Sequence, residues 1–426
     1  GMAARRDLVH PRDQIVTFME RIYGYGMTTT SGGNLSIRDE NGDVWISPAG
    51  YDKGSLAPRD IICVHPDGSS SGPHRPSSEL PFHQAIFEAR PDVGAVVHAH
   101  PPALVSFSLV GKVPDTRILP KARLICGDVG FAPYEQPGSK ALGERIAEVF
   151  AQGYDTVILE NHGVVCAGDT LFQAFQRFET LDFCARLTVE ARRIGTPHVL
   201  TEEQLNFLKG NSHLVPEFDP PAASSREREL RSVMVRLIRR AYDQMLFTST
   251  EGTFSCRISG EELLITPYGV DRKGIVEEDV VLVRGGERER GKVPSRSLHL
   301  HRKIYEKHPD VHAVIVAHPP NIMAFGVAHR QFNTRTIPES YVMLRDIPLL
   351  EYGAQFNDQE KVASLLGPKT PFVIIENDCA IVAAGSLLEA FDRLEVAEFS
   401  AKSVTSATVL GEVVPIGEQQ VADLKA

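Results

Sequence analysis

The sequence predicts an α/β protein made of two copies of one fold, and three observations lead there. Short apolar runs of strand length alternate with segments whose apolar residues recur at helical spacing. The 426-residue chain is too long for one average domain of roughly 150 residues. Its second half also repeats the landmarks of the first. Pro76-Ser77-Ser78-Glu79-Leu80 aligns with Pro294-Ser295-Arg296-Ser297-Leu298, and Val96-Val97-His98-Ala99-His100-Pro101-Pro102 with Val314-Ile315-Val316-Ala317-His318-Pro319-Pro320. One offset, 218 (316 − 98), relates Glu79 to Ser297, His98 to Val316 and Tyr134 to Tyr352. Further on, Ile158-Leu159-Glu160-Asn161-His162 matches Ile374-Ile375-Glu376-Asn377-Asp378 at an offset of 216. A linker rich in Pro, Ala and Ser, about 213–225, separates the copies. The predicted domains are therefore 1–212 and 213–426.

The elements follow in order. Pro11 to Gly24 reads as an amphipathic helix with Ile15, Phe18, Met19 and Ile22 on one side. A small-residue loop then runs into a strand over Thr28-Thr29-Thr30-Ser31-Gly32-Gly33-Asn34-Leu35-Ser36-Ile37-Arg38, and Asn41-Gly42 is a hairpin signal before Val44-Trp45-Ile46-Ser47. Ser77-Ser78-Glu79 opens a helix to about Arg90, and Ala95–His100 is a strand stopped by Pro101-Pro102. Residues 155–167 give two short strands around a turn at Asn161-His162-Gly163. A long helix covers about 170–194, with Phe172, Phe175, Phe178, Leu181 and Cys184 as its core stripe.

Composition narrows the function classes. A 42% hydrophobic and 23% charged chain is ordinary for a globular protein with sizeable cores. A net charge of -10 argues against nucleic acid as partner. The six cysteines include no C-x-x-C pair and read as reduced, packing thiols. No apolar run approaches the roughly 20 residues of a membrane span. The N-terminus shows no signal-peptide pattern, and Gly1 before Met2 reads as a cloning remnant. The expected setting is cytoplasmic, with neither nucleic acid nor membrane as partner.

His98 and His100 are spaced i, i+2, which on a strand puts both imidazoles on one face. Two nitrogen ligands on one rigid strand end are half of a divalent-metal site, and Glu79 and His162 are the candidates for the rest. The repeat provides an internal control. In the second copy Glu79 becomes Ser297, His98 becomes Val316 and His162 becomes Asp378, and only His100 persists, as His318. Apolar, Pro and Gly landmarks persist while the quartet is lost, so the first copy reads as active and the second as degenerate.

These motifs resemble the class II aldolase/adducin family, typified by L-fuculose-1-phosphate aldolase. The resemblance rests on Ser31-Gly32-Gly33-Asn34-Leu35-Ser36-Ile37-Arg38, Ser47-Pro48-Ala49-Gly50, Ser77-Ser78-Glu79, His98-Ala99-His100-Pro101-Pro102 and Glu160-Asn161-His162-Gly163. They cover nearly all of the first copy, and a weaker version covers the second. The resemblance implies two copies of a three-layer α/β/α sandwich with a mostly antiparallel central sheet. It implies that His98, His100 and His162 bind a divalent metal, usually Zn2+ and otherwise an ion such as Mn2+ or Co2+. Glu79 is then the fourth ligand of the resting site and the acid/base once substrate displaces it. The family's phosphate pocket falls on Gly33, Asn34, Ala49, Gly50, Ser77 and Ser78. Ala49 stands where the family usually has Thr, which removes one hydroxyl and leaves a carboxylate or unphosphorylated substrate open.

The chemistry agrees with the resemblance. Making or breaking a C–C bond beside a carbonyl requires stabilising an enediolate, and a metal polarising two adjacent oxygens does so as a Lewis acid. A carboxylate at the metal's edge is placed to move a proton. An acidic residue in a helix's first turn also suits the helix dipole, which is the plain reading of Glu79. The expected activity is that of a metal-dependent lyase on a small sugar-like carbonyl compound. An epimerase, dehydratase or decarboxylase on the same site, or an adducin-like binding module, stays open. The family's tetramers take a proton-donating tyrosine from a neighbouring subunit. Under the constant offset, Leu119-Pro120-Lys121-Ala122-Arg123 pairs with Ile337-Pro338-Glu339-Ser340-Tyr341, which puts that tyrosine at Tyr341. The resemblance thus implies a homo-oligomer in which two chains form a pseudo-tetramer.

Overall fold

A computed structural model describes residues 9–206 and 215–426. The expectations for Gly1-Met2 and for the first two linker residues lie outside the described residues. The chain forms two compact units, Gly1–Arg186 and Leu187–Ala426.

The first unit begins with helix α1 (Pro11–Gly24), opened by Pro11 and by the His10 side chain, which accepts from the Arg12 amide. Strands β1 (Asn34–Arg38) and β2 (Val44–Ile46) form the hairpin predicted at Asn41-Gly42, where Gly42 has φ +81°. Strands β3 (Ile62–Val64) and β4 (Ser70–Ser71) and helix α2 (Leu80–Ala89) lead to β5 (Ala95–Ala99). Helices α3 (Pro102–Leu109) and α4 (Pro120–Cys126), strand β6 (Val129–Ala132), helix α5 (Lys140–Ala151), strands β7 (Thr156–Leu159) and β8 (Gly163–Gly168) and helix α6 (Leu171–Ile194) complete the order.

The sheet order is β4-β3-β2-β1-β5-β8-β7-β6, antiparallel except for the parallel pair β6 and β7. Phe82 and Ile86 of α2 and Ile146 and Phe150 of α5 pack with Val96, Val157 and Val165 on one face. Helices α1 and α6 form the other outer layer, where the Phe18 and Phe175 rings sit 4.9 Å apart. Three layers result, as the resemblance implied.

The second unit contains helix α7 (Glu202–Asn206), strand β9 (Glu217–Phe218), helix α8 (Ser225–Asp243), and strands β10 (Thr253–Ser259), β11 (Glu262–Ile265), β12 (Val281–Arg284) and β13 (Glu287–Glu289). Helix α9 (Leu298–Lys307), strand β14 (Ala313–Ala317), helices α10 (Pro320–Ala328) and α11 (Pro338–Leu344) and strand β15 (Leu349–Leu350) follow. Helices α12 (Ala354–Asn357) and α13 (Gln359–Leu365), strands β16 (Phe372–Ile375) and β17 (Cys379–Ala384), and helices α14 (Leu387–Ala407) and α15 (Glu418–Lys425) end the chain. Its sheet runs β15-β16-β17-β14-β10-β11-β12-β13-β9, the order of the first sheet with β9 added at one edge.

That added strand refines the linker reading. Residues 217–218 pair parallel to β13, and Arg290 donates to the Asp219 carboxylate at 2.7 Å. The partner strand lies some seventy residues away, so local Pro, Ala and Ser content could not reveal it.

Matching hydrogen bonds establish the duplication at residue level. The Arg38 guanidinium donates to the carbonyls of Phe87, Arg90, Pro91 and Val93 at the end of α2; Arg257 does the same for Tyr305, His308 and Val311 after α9. Thr116 donates to the Gly127 carbonyl and Thr334 to that of Arg345, each at 2.7 Å. Asn161 and Asn377 both hold positive φ, 57° and 56°, at the same turn.

Candidate functional site

Strand β5 is central in its sheet, and its C-terminal end carries His98 and His100. Val96, on the same face as His98, lies in the core beneath α2, so both histidines are directed toward the start of that helix. Glu79 sits at the N-cap position of α2, and His162 sits in the turn between β7 and β8. Gly163 allows this convergence: a Cβ there would lie 2.6 Å from the Ala99 carbonyl oxygen and 2.9 Å from His100 Cδ2. Gly33, with φ +82°, plays the same part on the other side, since a Cβ would lie 2.9 Å from the His98 carbonyl oxygen.

The ligand-type nitrogens of His98, His100 and His162 lie within 4.8 Å of one another. The His98 ring stands nearly perpendicular to the other two, which stack at 5.4 Å and 10°. Glu79 Oε2 is 3.0 Å from His98 Nε2, and Oε1 is 3.2 Å from His162 Nε2. His98 Nδ1 lies 2.9 Å from the Val164 carbonyl oxygen. A carbonyl only accepts, so Nδ1 carries a proton and Nε2 is the nitrogen turned inward to Glu79 and the other two imidazoles. That Nε2 is fully buried, and its approach to Glu79 falls outside hydrogen-bond geometry, leaving it without a proper partner. A buried imidazole nitrogen without a hydrogen-bond partner, two further imidazoles and a carboxylate at the edge fit a divalent cation.

Electrostatics point the same way. Burial pushes His100 down to about 3, helped by neighbouring His98 and His162, so its ring is neutral and ligand-ready. Burial alone would raise Glu79. The charge of the facing His98, then the His162 contact and the Asn34 hydrogen bond, outweigh it and hold the carboxyl well below the usual range.

Glu79 is anchored from behind by a directed chain that the sequence did not announce. Asn34 Nδ2 donates to Glu79 Oε2 at 2.7 Å, His83 Nε2 donates to Asn34 Oδ1, and Ser36 Oγ donates to His83 Nδ1 at 2.6 Å. Burial pushes His83 down to about 3, so it serves as a neutral spacer. The second copy keeps the Ser255 and His301 pair at 2.6 Å. There Thr253 replaces Asn34 and turns to Ser295, and His301 Nε2 is left buried without a partner. Asp378, at the place of His162, is held by Gln355 instead.

The three loops assigned to an anion pocket do come together. Ser77 N donates to the Ser47 carbonyl at 3.1 Å, Ala49 N to that of Arg75 at 2.9 Å, and Lys53 N to that of Thr30 at 2.9 Å. Asn34 is buried with its amide engaged by Glu79 and His83, Ser77 Oγ accepts from Glu79 N at 3.2 Å, and Gly50 and Ser78 are exposed. Buried Lys53 donates to the Tyr51 carbonyl at 3.2 Å. Arg272 pins the matching loop through Val270 and Gly252, so this cation reads as a fold device.

Tyr341 lies in the second unit, on α11, and is 1% exposed. The Arg335 and Arg345 guanidinium groups each sit 5.4 Å from its ring centroid.

Known proteins bear on this geometry. The family model described as "Class II Aldolase and Adducin N-terminal domain" matches residues 13–189 and again 232–405. The 5-deoxy-D-ribulose 1-phosphate aldolase of Bacillus thuringiensis serovar kurstaki is 32% identical over 200 residues, covering 46% of this chain and 92% of its own. The 3-oxo-tetronate 4-phosphate decarboxylase of Escherichia coli K12 is 29% identical over 180 residues, covering 41% of this chain and 84% of its own. A solved L-fuculose 1-phosphate aldolase is 27% identical with a TM-score of 0.43, covering 46% of this chain and 93% of its own.

Proposed function

The chain belongs to the class II aldolase and adducin family, and from that premise we propose that it is a divalent-metal-dependent lyase. It makes or breaks a C–C bond beside the carbonyl of a small sugar phosphate. The observation that carries the reading is the convergence of His98, His100 and His162 around Glu79 in one copy and its loss in the other.

In this reading the three histidines hold the ion, Zn2+ or a similar divalent cation. When bound, the ion supplies Lewis acidity to the substrate carbonyl. Neutral imidazoles leave its charge uncompensated. Glu79, ionised and fixed by Asn34, moves the proton at the reacting carbon. The loops at Gly33, Ala49 and Gly50 and at Ser77 and Ser78 take the anionic group of the substrate. The phosphate is proposed because relatives of both reaction types are named for phosphorylated compounds.

Residues 1–212 form the active copy and 213–426 the degenerate one, and two chains assemble as a pseudo-tetramer. Tyr341 is the proposed proton donor. A panel of ketose 1-phosphates assayed for aldol cleavage, with and without chelator, tests the proposal. Cleavage of at least one, abolished by chelator and restored by Zn2+, is expected; release of CO2 from a 3-oxo acid phosphate without aldol cleavage overturns the aldolase reading in favour of a decarboxylase. Tyr341→Phe with unchanged cleavage removes the tyrosine from it.

A further inference from the structure

Away from the histidine cluster, a second group of ligand-type side chains meets on the outer strands of the first sheet. Cys63 and His65 are spaced i, i+2 and share one face, and Asp43 precedes the neighbouring strand β2. His65 Nδ1 is 3.0 Å from Asp43 Oδ1 and 4.0 Å from Cys63 Sγ. One thiol sulfur, one imidazole nitrogen and one carboxylate oxygen thus lie within 4.8 Å of one another. We propose that Asp43, Cys63 and His65 form a second cation site, selective for a thiophilic divalent ion such as Zn2+ or Co2+.

The donor set is what such ions take: sulfur, nitrogen and oxygen, with a fourth position left to water. Tetrahedral bonds of about 2.0–2.3 Å put neighbouring ligand atoms roughly 3.2–3.6 Å apart, so the Cys63–His65 pair has to close by a few tenths of an ångström and the Asp43–His65 pair to open by about as much. The hydroxyl of Ser71 lies 3.4 Å from His65 Nε2, on the side of the ring away from the site, where a ligand histidine is ordinarily held. The His65 side chain is 40% exposed, which leaves the site an entrance, while Cys63 closes its floor. Burial, then Asp43 and Asp39, push the Cys63 thiol up, so without an ion it stays protonated. On binding, the S–H bond breaks, the Sγ–metal bond forms, and the proton leaves to solvent.

The second copy shows what the fold alone needs at this place. The same strand positions there hold Glu262, Leu282 and Arg284. Arg284 Nε pairs with Glu262 Oε1 at 3.3 Å, so a cross-strand charge pair suffices for the sheet. The first copy keeps the acid, exchanges arginine for a histidine able to bind metal, and places a thiol where the other copy has leucine.

Cobalt distinguishes this site from the first one, because thiolate-to-cobalt charge transfer requires a sulfur ligand and the cluster of His98, His100, His162 and Glu79 has none. The full-length protein, stripped by chelator, is titrated with Co2+ and followed in the near ultraviolet. A saturable charge-transfer band is expected in wild type and in His98→Ala, and its loss is expected in Cys63→Ser and His65→Gln. Circular dichroism confirms that each variant is folded; should Cys63→Ser fail to fold, His65→Gln carries the comparison. No band in wild type overturns the proposal, as does a band that survives both substitutions.

Discussion

Asn34 links the two histidine environments of the first copy, and its replacement is informative at the scale of one side chain. Asn34→Ala removes the donor to Glu79 and the acceptor for His83. A hydrogen bond to a charged group contributes about 1.5–3 kcal/mol, so kcat/KM should fall roughly ten- to a hundredfold with the metal still bound. Unchanged kinetics would show that Glu79 needs no anchor. Glu79, His98, His100 and His162 were legible in the sequence because the repeat abandons three of the four together. His83 was not legible, because it recurs as His301 and so reads as a landmark of the fold. The Asn34 exchange to Thr253 was the available signal, since it is the change that orphans His301.

At the scale of elements, the site depends on how closely the turn after β7 approaches the end of β5. Gly163→Ala puts a methyl 2.6 Å from the Ala99 carbonyl oxygen. Overpacking of this kind costs about 1–3 kcal/mol, and the strain falls on His100 and its neighbour His162. Chemical denaturation and metal titration should therefore show lower stability and weaker metal binding together. A loss of stability with unaltered metal affinity would mean that the turn gives way without moving the ligands. Helices at Pro11–Gly24 and Leu171–Ile194 and the hairpin at Asn41-Gly42 were readable because period and turn chemistry are local. Strand β9 was not, because its pairing is set by distant Arg288 and Arg290.

For the whole molecule, the duplicated second copy has lost three of the four candidate ligands but keeps the buried His301 that stands behind them in the first. Burial pushes His301 down to about 3 from 6.5. Between those values the unfolded chain binds a proton that the folded chain refuses. Its contribution to stability is complete above pH 6.5 and is lost as pH falls toward 3. Urea unfolding of His301→Leu should accordingly show a shallower fall in stability across that window than wild type; an identical slope would mean that His301 does not limit acid stability. The proposed activity depends above all on a divalent metal being held by His98, His100 and His162. Elemental analysis of purified wild type against His98→Ala tests it most directly. About one equivalent of divalent metal per chain should be missing from the variant, and equal metal content in both proteins would contradict the account.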